Sequence, residues 1–166
     1  MGDLSSATRT LWRWNPHTGW RTMAEFPGTP RVIGALASAE GKLYYFGGLH
    51  KGAGDPKNLD ELWRFDPAAN TWTQLPNLPV ARRAWSALSV GKGILLLGGY
   101  TDNFSAETYF FDPRAGKTVR HGDLLHPLAD AKYVRIGDRL LTAGGEAGVK
   151  IRAQWTLESI WKENGR

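Results

Sequence analysis

Few side chains in this sequence stand where they could do chemistry. Glu146 follows Gly144-Gly145 directly, and Arg152 comes six residues later. A carboxyl so placed can take and deliver protons, and a guanidinium can clamp a carboxylate through two parallel hydrogen bonds. The same two residues can equally form a plain surface ion pair at a loop mouth. Arg31 and Arg82 are open in the same way, between hydrogen bonding to nearby loops and contact with a ligand. Much other chemistry is excluded. The chain of 166 residues has no cysteine, hence no disulfide, thiolate metal site or cysteine nucleophile. His17, His50, His121 and His126 lack metal-ligand spacing, so neither a metal nor a cofactor is expected. No G-x-S-x-G occurs. Ala115 to Thr118 ends like a phosphate-binding loop, but Phe111 stands where the leading glycine belongs. Asn103-Phe104-Ser105 is a glycosylation sequon only in a eukaryotic secreted setting.

The elements that must position these residues repeat. Three glycine pairs, Gly47-Gly48, Gly98-Gly99 and Gly144-Gly145, are offset by 51 and 46 residues, and each closes a short apolar run. In the same phase come LWRWNP (Leu11 to Pro16), LWRFDP (Leu62 to Pro67) and YFFDP (Tyr109 to Pro113). Each Asx-Pro has a turn mechanism: the Asx oxygen accepts local backbone hydrogen bonds, and proline presets φ. Four residues after each Asx stands Gly19, Asn70 or Gly116, residues that tolerate a left-handed φ. Trp20 and Trp72 follow in two copies, and Thr118 takes that place in the third. A further element precedes each glycine pair, at residues 32–38, 84–90 and 132–136. The unit is therefore strand A, strand B ending in Gly-Gly, a variable loop, strand C ending in Asx-Pro, and strand D. Antiparallel pairs are expected at 32–38/42–47, 84–90/93–98 and 132–136/139–143.

This unit resembles the kelch repeat, and a period near 50 residues belongs to propellers. The resemblance implies an all-β fold of about three and a half four-stranded blades, either a propeller fragment or a half-ring. Strands C and D of a first blade fall at 11–25, whole blades at 31–75 and 82–120, and a partial last blade at 131–161, after a tail at 1–10. Stacked blades bury both faces of each sheet. Trp20 and Trp72 are accordingly expected as structural aromatics between blades, with the glycine pairs admitting close approach. A closed ring needs four to eight blades. Either a longer chain supplies the remainder, or two chains close one ring as a homodimer.

In a four-stranded meander the start of A, the end of B, the start of C and the end of D share one end of the sheet. One face therefore collects Arg31, Arg82 and Arg83 with the segments 49–59, 100–108 and 146–152. The last segment resembles the GE-x5-R segment of the bacterial N-acetylneuraminate epimerases, periplasmic kelch propellers that interconvert sialic acid anomers. WRTMAEFPGTPR followed by GKLYYFGG resembles that family's opening blade. The resemblance implies that Glu146 and Arg152 are catalytic. Glu146 would manage proton transfer at the anomeric centre and Arg152 would clamp the sugar carboxylate, while Arg31 and Arg82 stay candidate ligand contacts by their loop positions alone. It also implies a small anionic carbohydrate partner and a periplasmic or secreted location behind an upstream signal peptide. The residues alone leave a second reading open, a kelch module that binds a protein partner without catalysis. The formal charge of +5 is spread without a basic cluster, so no nucleic-acid partner is expected. No run reaches membrane-spanning length, so no membrane partner is expected either.

Overall fold

A computed structural model describes residues 7–52, 54–137, 139–148, 151–152 and 156–158, with backbone alone for the last five. All regular structure among them is strand. The first blade contributes β1 (Trp12–Asn15) and β2 (Gly19–Thr22). The second has β3 (Ala35–Ala39) and β4 (Lys42–Phe46), then a small arm of β5 (Leu49–His50) and β6 (Lys57–Asn58), then β7 (Leu62–Asp66) and β8 (Thr71–Leu75). The third is β9 (Ser86–Val90), β10 (Gly93–Leu97), β11 (Glu107–Asp112) and β12 (Lys117–Asp123). The last has β13 (Lys132–Ile136) and β14 (Arg139–Ala143), an arm of β15 (Glu146–Gly148) and β16 (Ile151–Arg152), and β17 (Thr156–Glu158). Sheet orders β3-β4-β7-β8 and β12-β11-β10-β9 are antiparallel meanders, and β13-β14-β17 begins a third. The end of the expected last blade, 159–161, and residues 1–6 of the tail lie outside the described residues.

The turn chemistry operates at each Asx. Asn15, Asp66 and Asp112 accept backbone N–H bonds two residues on, at 2.8, 2.9 and 2.8 Å. Gly19, Asn70 and Gly116 take the left-handed φ that closes each hairpin. Strand A starts later than expected in the two whole blades, at Ala35 and Ser86. The reason is a left-handed residue, Ile33 (φ 57°) or Ala84 (φ 56°), that breaks the extended chain. Asp130 (φ 52°) repeats this in the last blade. Ala84 N–H donates to Ile33 O (3.0 Å) and Asp130 N–H to Ala84 O (2.8 Å), so a backbone chain links successive blades.

Packing between blades explains the all-apolar β10, which is buried along its whole length. Ile94 and Leu96 face the second blade, in a core with Tyr44, Phe46, Leu62, Trp85 and Phe111. Leu95 and Leu97 face the last blade, with Leu124, Leu128 and Leu140. A strand enclosed on both faces reads as a continuous apolar run. The glycine pairs sit where neighbouring backbones meet: a Cβ on Gly98 would lie 2.0 Å from Leu128 O, and one on Gly47 2.4 Å from Arg82 O. The inter-blade bonds Gly48 N–H to Arg82 O and Gly99 N–H to Leu128 O run beside them.

Trp72 behaves as an inter-element aromatic. Its Nε1 donates to Ala24 O at 3.1 Å and its ring meets Phe26 edge-on. Trp20 does not. It is 67% exposed, as are Trp12 and Trp14 at 58% each. Trp14 and Trp20 are cross-strand partners, so the three tryptophans share one face of the β1–β2 hairpin. No described element packs on that face, so Trp20 fills no gap among the described blades.

Candidate functional site

The loop end of the blades holds two kinds of arginine. Arg31 is buried; its Nε donates to Thr29 O (2.8 Å), Nη1 to Gly47 O (3.1 Å) and Nη2 to Glu61. Phe26 and Tyr45 flank its guanidinium. Arg82 repeats the arrangement, with Nη1 on Gly98 O (3.0 Å), Nη2 on Glu107 (2.6 Å), and Trp85 and Tyr109 beside it. Each tie joins the start of strand A, the end of B and the start of C. Trp63 Nε1 and Tyr109 OH add bonds to Glu61 and Glu107. Burial would push the Glu61 carboxyl up, but the hydrogen bonds from Thr29, Trp63 and Arg31 together hold it below its ordinary value. The bond from Arg82 holds Glu107 low. These arginines are closed off from solvent by side-chain burial, and their charge is met by a carboxylate. They lie beneath the face they were expected to line.

One residue further on, the geometry changes. Val32, Arg83 and Ala129 form paired bridges with Leu49, Tyr100 and Glu146, the residues directly after the three glycine pairs. These positions, with Ile33, Ala84 and Asp130, form rows at the loop end. In the second blade their members are Val32, Ile33 and Leu49. The polar ones, Arg83, Tyr100, Asp130 and Glu146, all belong to the third and last blades. Arg83 is half-buried; its guanidinium lies 4.3 Å from the Tyr100 ring centroid, and Nη1 donates to Asn58 Oδ1 at 2.7 Å.

Glu146 is exposed and fixed by two 2.8 Å backbone bonds with Ala129. Arg152 is its register partner across the β15–β16 arm; its side chain lies outside what is described. Asp130 adjoins this pair. Partial burial pushes its carboxyl up, and the charge of Glu146 adds to the effect against Lys132 and Arg83. Structure thus brings Glu146 and Arg152 together and separates Arg31 and Arg82 from them. Sequence reading passed over Asp130, and kept Arg83 as a loop residue without singling it out. The available signal was phase, since Ile33, Ala84 and Asp130 follow the offsets of the glycine pairs. Among the described residues, no cluster of three or more metal-ligating side chains forms.

All-strand blades stacked through glycine pairs, with loops gathered at one end, define a kelch-type β-propeller segment. A family model for N-acetylneuraminate epimerase matches residues 3–125, and the chain belongs to that family. The match stops short of Glu146. An N-acetylneuraminate epimerase of Haemophilus influenzae is 36% identical over 113 residues, 67% of this chain and 30% of that protein. One from Yersinia enterocolitica is 34% identical over 87 residues, and one from Yersinia pestis 47% over 60, covering 49% and 34% of this chain and 22% and 15% of theirs. These matches thus span less than a third of the curated relatives. The propeller structure of YjhT superposes with a TM-score of 0.78 at 20% identity, over 93% of this chain and 60% of that one.

Proposed function

We propose that the loop face formed by the third and last blades is a site for an acidic sugar, and that its chemistry is exchange of N-acetylneuraminate anomers. The observation that carries this is the placement of Glu146. It stands on the loop face, locked by both backbone bonds to Ala129, with Asp130 adjoining and Arg152 opposite in register. The names of the curated relatives support the substrate.

Anomer exchange opens and recloses a hemiketal ring. A base takes the proton of the anomeric hydroxyl while an acid protonates the ring oxygen; the bond from that oxygen to the anomeric carbon breaks, leaving a carbonyl. Reclosure from the other face reverses the transfers. Two neighbouring carboxyls suit this division of labour. Glu146 and Asp130 are the carboxyls placed to share these transfers, and partial burial pushes that of Asp130 up from its ordinary value.

The test is exchange spectroscopy of the anomers with the full-length protein. Glu146→Gln keeps the shape and removes proton transfer, so acceleration falls by about 10²–10⁴-fold. A Gln variant as fast as the parent ends the proposal.

A further inference from the structure

Arg83 differs from Arg31 and Arg82 in one respect that bears on recognition. Arg31 and Arg82 are each neutralised by a glutamate of their own blade. Arg83 is held as firmly, by the Tyr100 ring on one side and Asn58 on another, yet the group that holds it by hydrogen bonding is a neutral amide. Among the described residues, no carboxylate comes within 4.0 Å of its guanidinium. A partly desolvated, pre-oriented cation with no carboxylate in contact binds an anion more strongly than a mobile surface arginine does, because its ordering cost has been met in folding. The neighbouring rows explain the location. Asn58 projects from the arm of the second blade, Tyr100 follows the glycine pair of the third, and the field of Arg83 reaches Asp130 in the last. The cation therefore lies within electrostatic reach of Asp130, one of the two carboxyls to which proton transfer was assigned.

We infer that Arg83 is the residue that recognises the carboxylate of the acidic sugar, with Asn58 and Tyr100 as its positioning residues. This rests on the sugar reading above and goes beyond it, since the sequence pattern gave that task to Arg152. The Tyr100 ring closes one face of the guanidinium, which leaves its edge to form the paired contact with a carboxylate.

The experiment compares binding of N-acetylneuraminate with that of its methyl ester, by chemical-shift titration of the full chain. The parent is expected to prefer the acid by at least about tenfold, the scale of one charge-assisted hydrogen bond. Arg83→Gln abolishes the preference. Asn58→Asp is the sharper variant: it leaves Arg83 in place and supplies the missing carboxylate, converting the site into the Arg31–Glu61 type. It too is expected to abolish the preference, with the thermal midpoint kept or raised. Undiminished preference in both variants overturns the inference and leaves the anomer-exchange proposal standing. Preference lost in the variants, with no acceleration of exchange by the parent, upholds carboxylate recognition and removes the enzymatic reading. A parent that binds acid and ester equally overturns the role of Arg83 outright.

Discussion

At the scale of single residues, the glycine pairs separate two costs that usually arrive together. Gly98 and Gly144 occupy equivalent places and share a left-handed φ, 63° and 76°. A side chain at Gly98 would meet Leu128 O at 2.0 Å, whereas among the described residues nothing lies within 4 Å of one at Gly144. Gly144→Ala is therefore expected to cost only the backbone term, about 1–2 kcal/mol. Gly98→Ala adds about 1–3 kcal/mol of overpacking, because the carbonyl in the way is itself held by Gly99 N–H. Urea midpoints of the two variants measure the difference, and equal midpoints would show that the third and last blades are not in contact there. Repetition made these glycines legible without a structure. Arg82 and Arg83 were not separable in that way. They are adjacent, alike in type, and sent to opposite sides of the backbone, one into a blade's own ion pair and one onto the loop face. What divides them is the alternation of an extended chain, which sends neighbouring side chains to opposite sides, and no residue type there announces which of the two turns inward.

At the scale of elements, each whole blade carries a tie across its loop end, Arg31–Glu61 or Arg82–Glu107. Both glutamates lie below the ordinary 4.5 in the folded chain. A depressed carboxyl stabilises fully above the unfolded value, and its contribution is lost as pH falls through the folded one. Stability measured from neutrality down through the glutamate range should thus fall with acid. Glu61→Gln should cost about 1–3 kcal/mol at neutral pH and flatten that decline. An acid limb as steep in the variant as in the parent would mean that Glu61 has no part in it. The strands these ties join were readable from apolar runs and Asx-Pro turns, because each run is long enough to show its period. The arms β5–β6 and β15–β16 were not, since a two-residue strand such as β5 has no period to detect. The tie glutamates were also missed, although Glu61 and Glu107 repeat in phase immediately before the strand C motif.

At the scale of the whole molecule, the described blades end in two uncovered apolar surfaces. One carries Trp12, Trp14 and Trp20; the other carries Val134 and Ile136, 55% and 61% exposed. Contiguous apolar surface of this kind marks an association face. A second copy of the chain, laid head to tail, would set one surface against the other and extend the stack of blades toward a ring. The chain as written is therefore expected to self-associate at micromolar concentration. Replacing Trp14 and Trp20 together with threonine should weaken this, because it keeps strand propensity while removing the indoles. Sedimentation measures both, and a monodisperse parent monomer would count against the face having this use. The blade count was legible from repeat spacing. Exposure of Trp20 was not, because a repeat reports the position of a side chain within its own blade and nothing about the presence of a neighbour.

The two repeat lengths, 51 and 46 residues, differ by a stretch that falls wholly in the arm between the second glycine of a pair and strand C. The ties lie beneath these arms, and Gly52 and Gly54, near the tip of the longer arm, are exposed. Lineages can therefore lengthen, shorten or exchange an arm without re-solving how the blades fold. Part of the loop face, Asn58, Tyr100 and Glu146, is carried on these arms, so that part can change by insertion and deletion, while Arg83 and Asp130 are inherited with the blades.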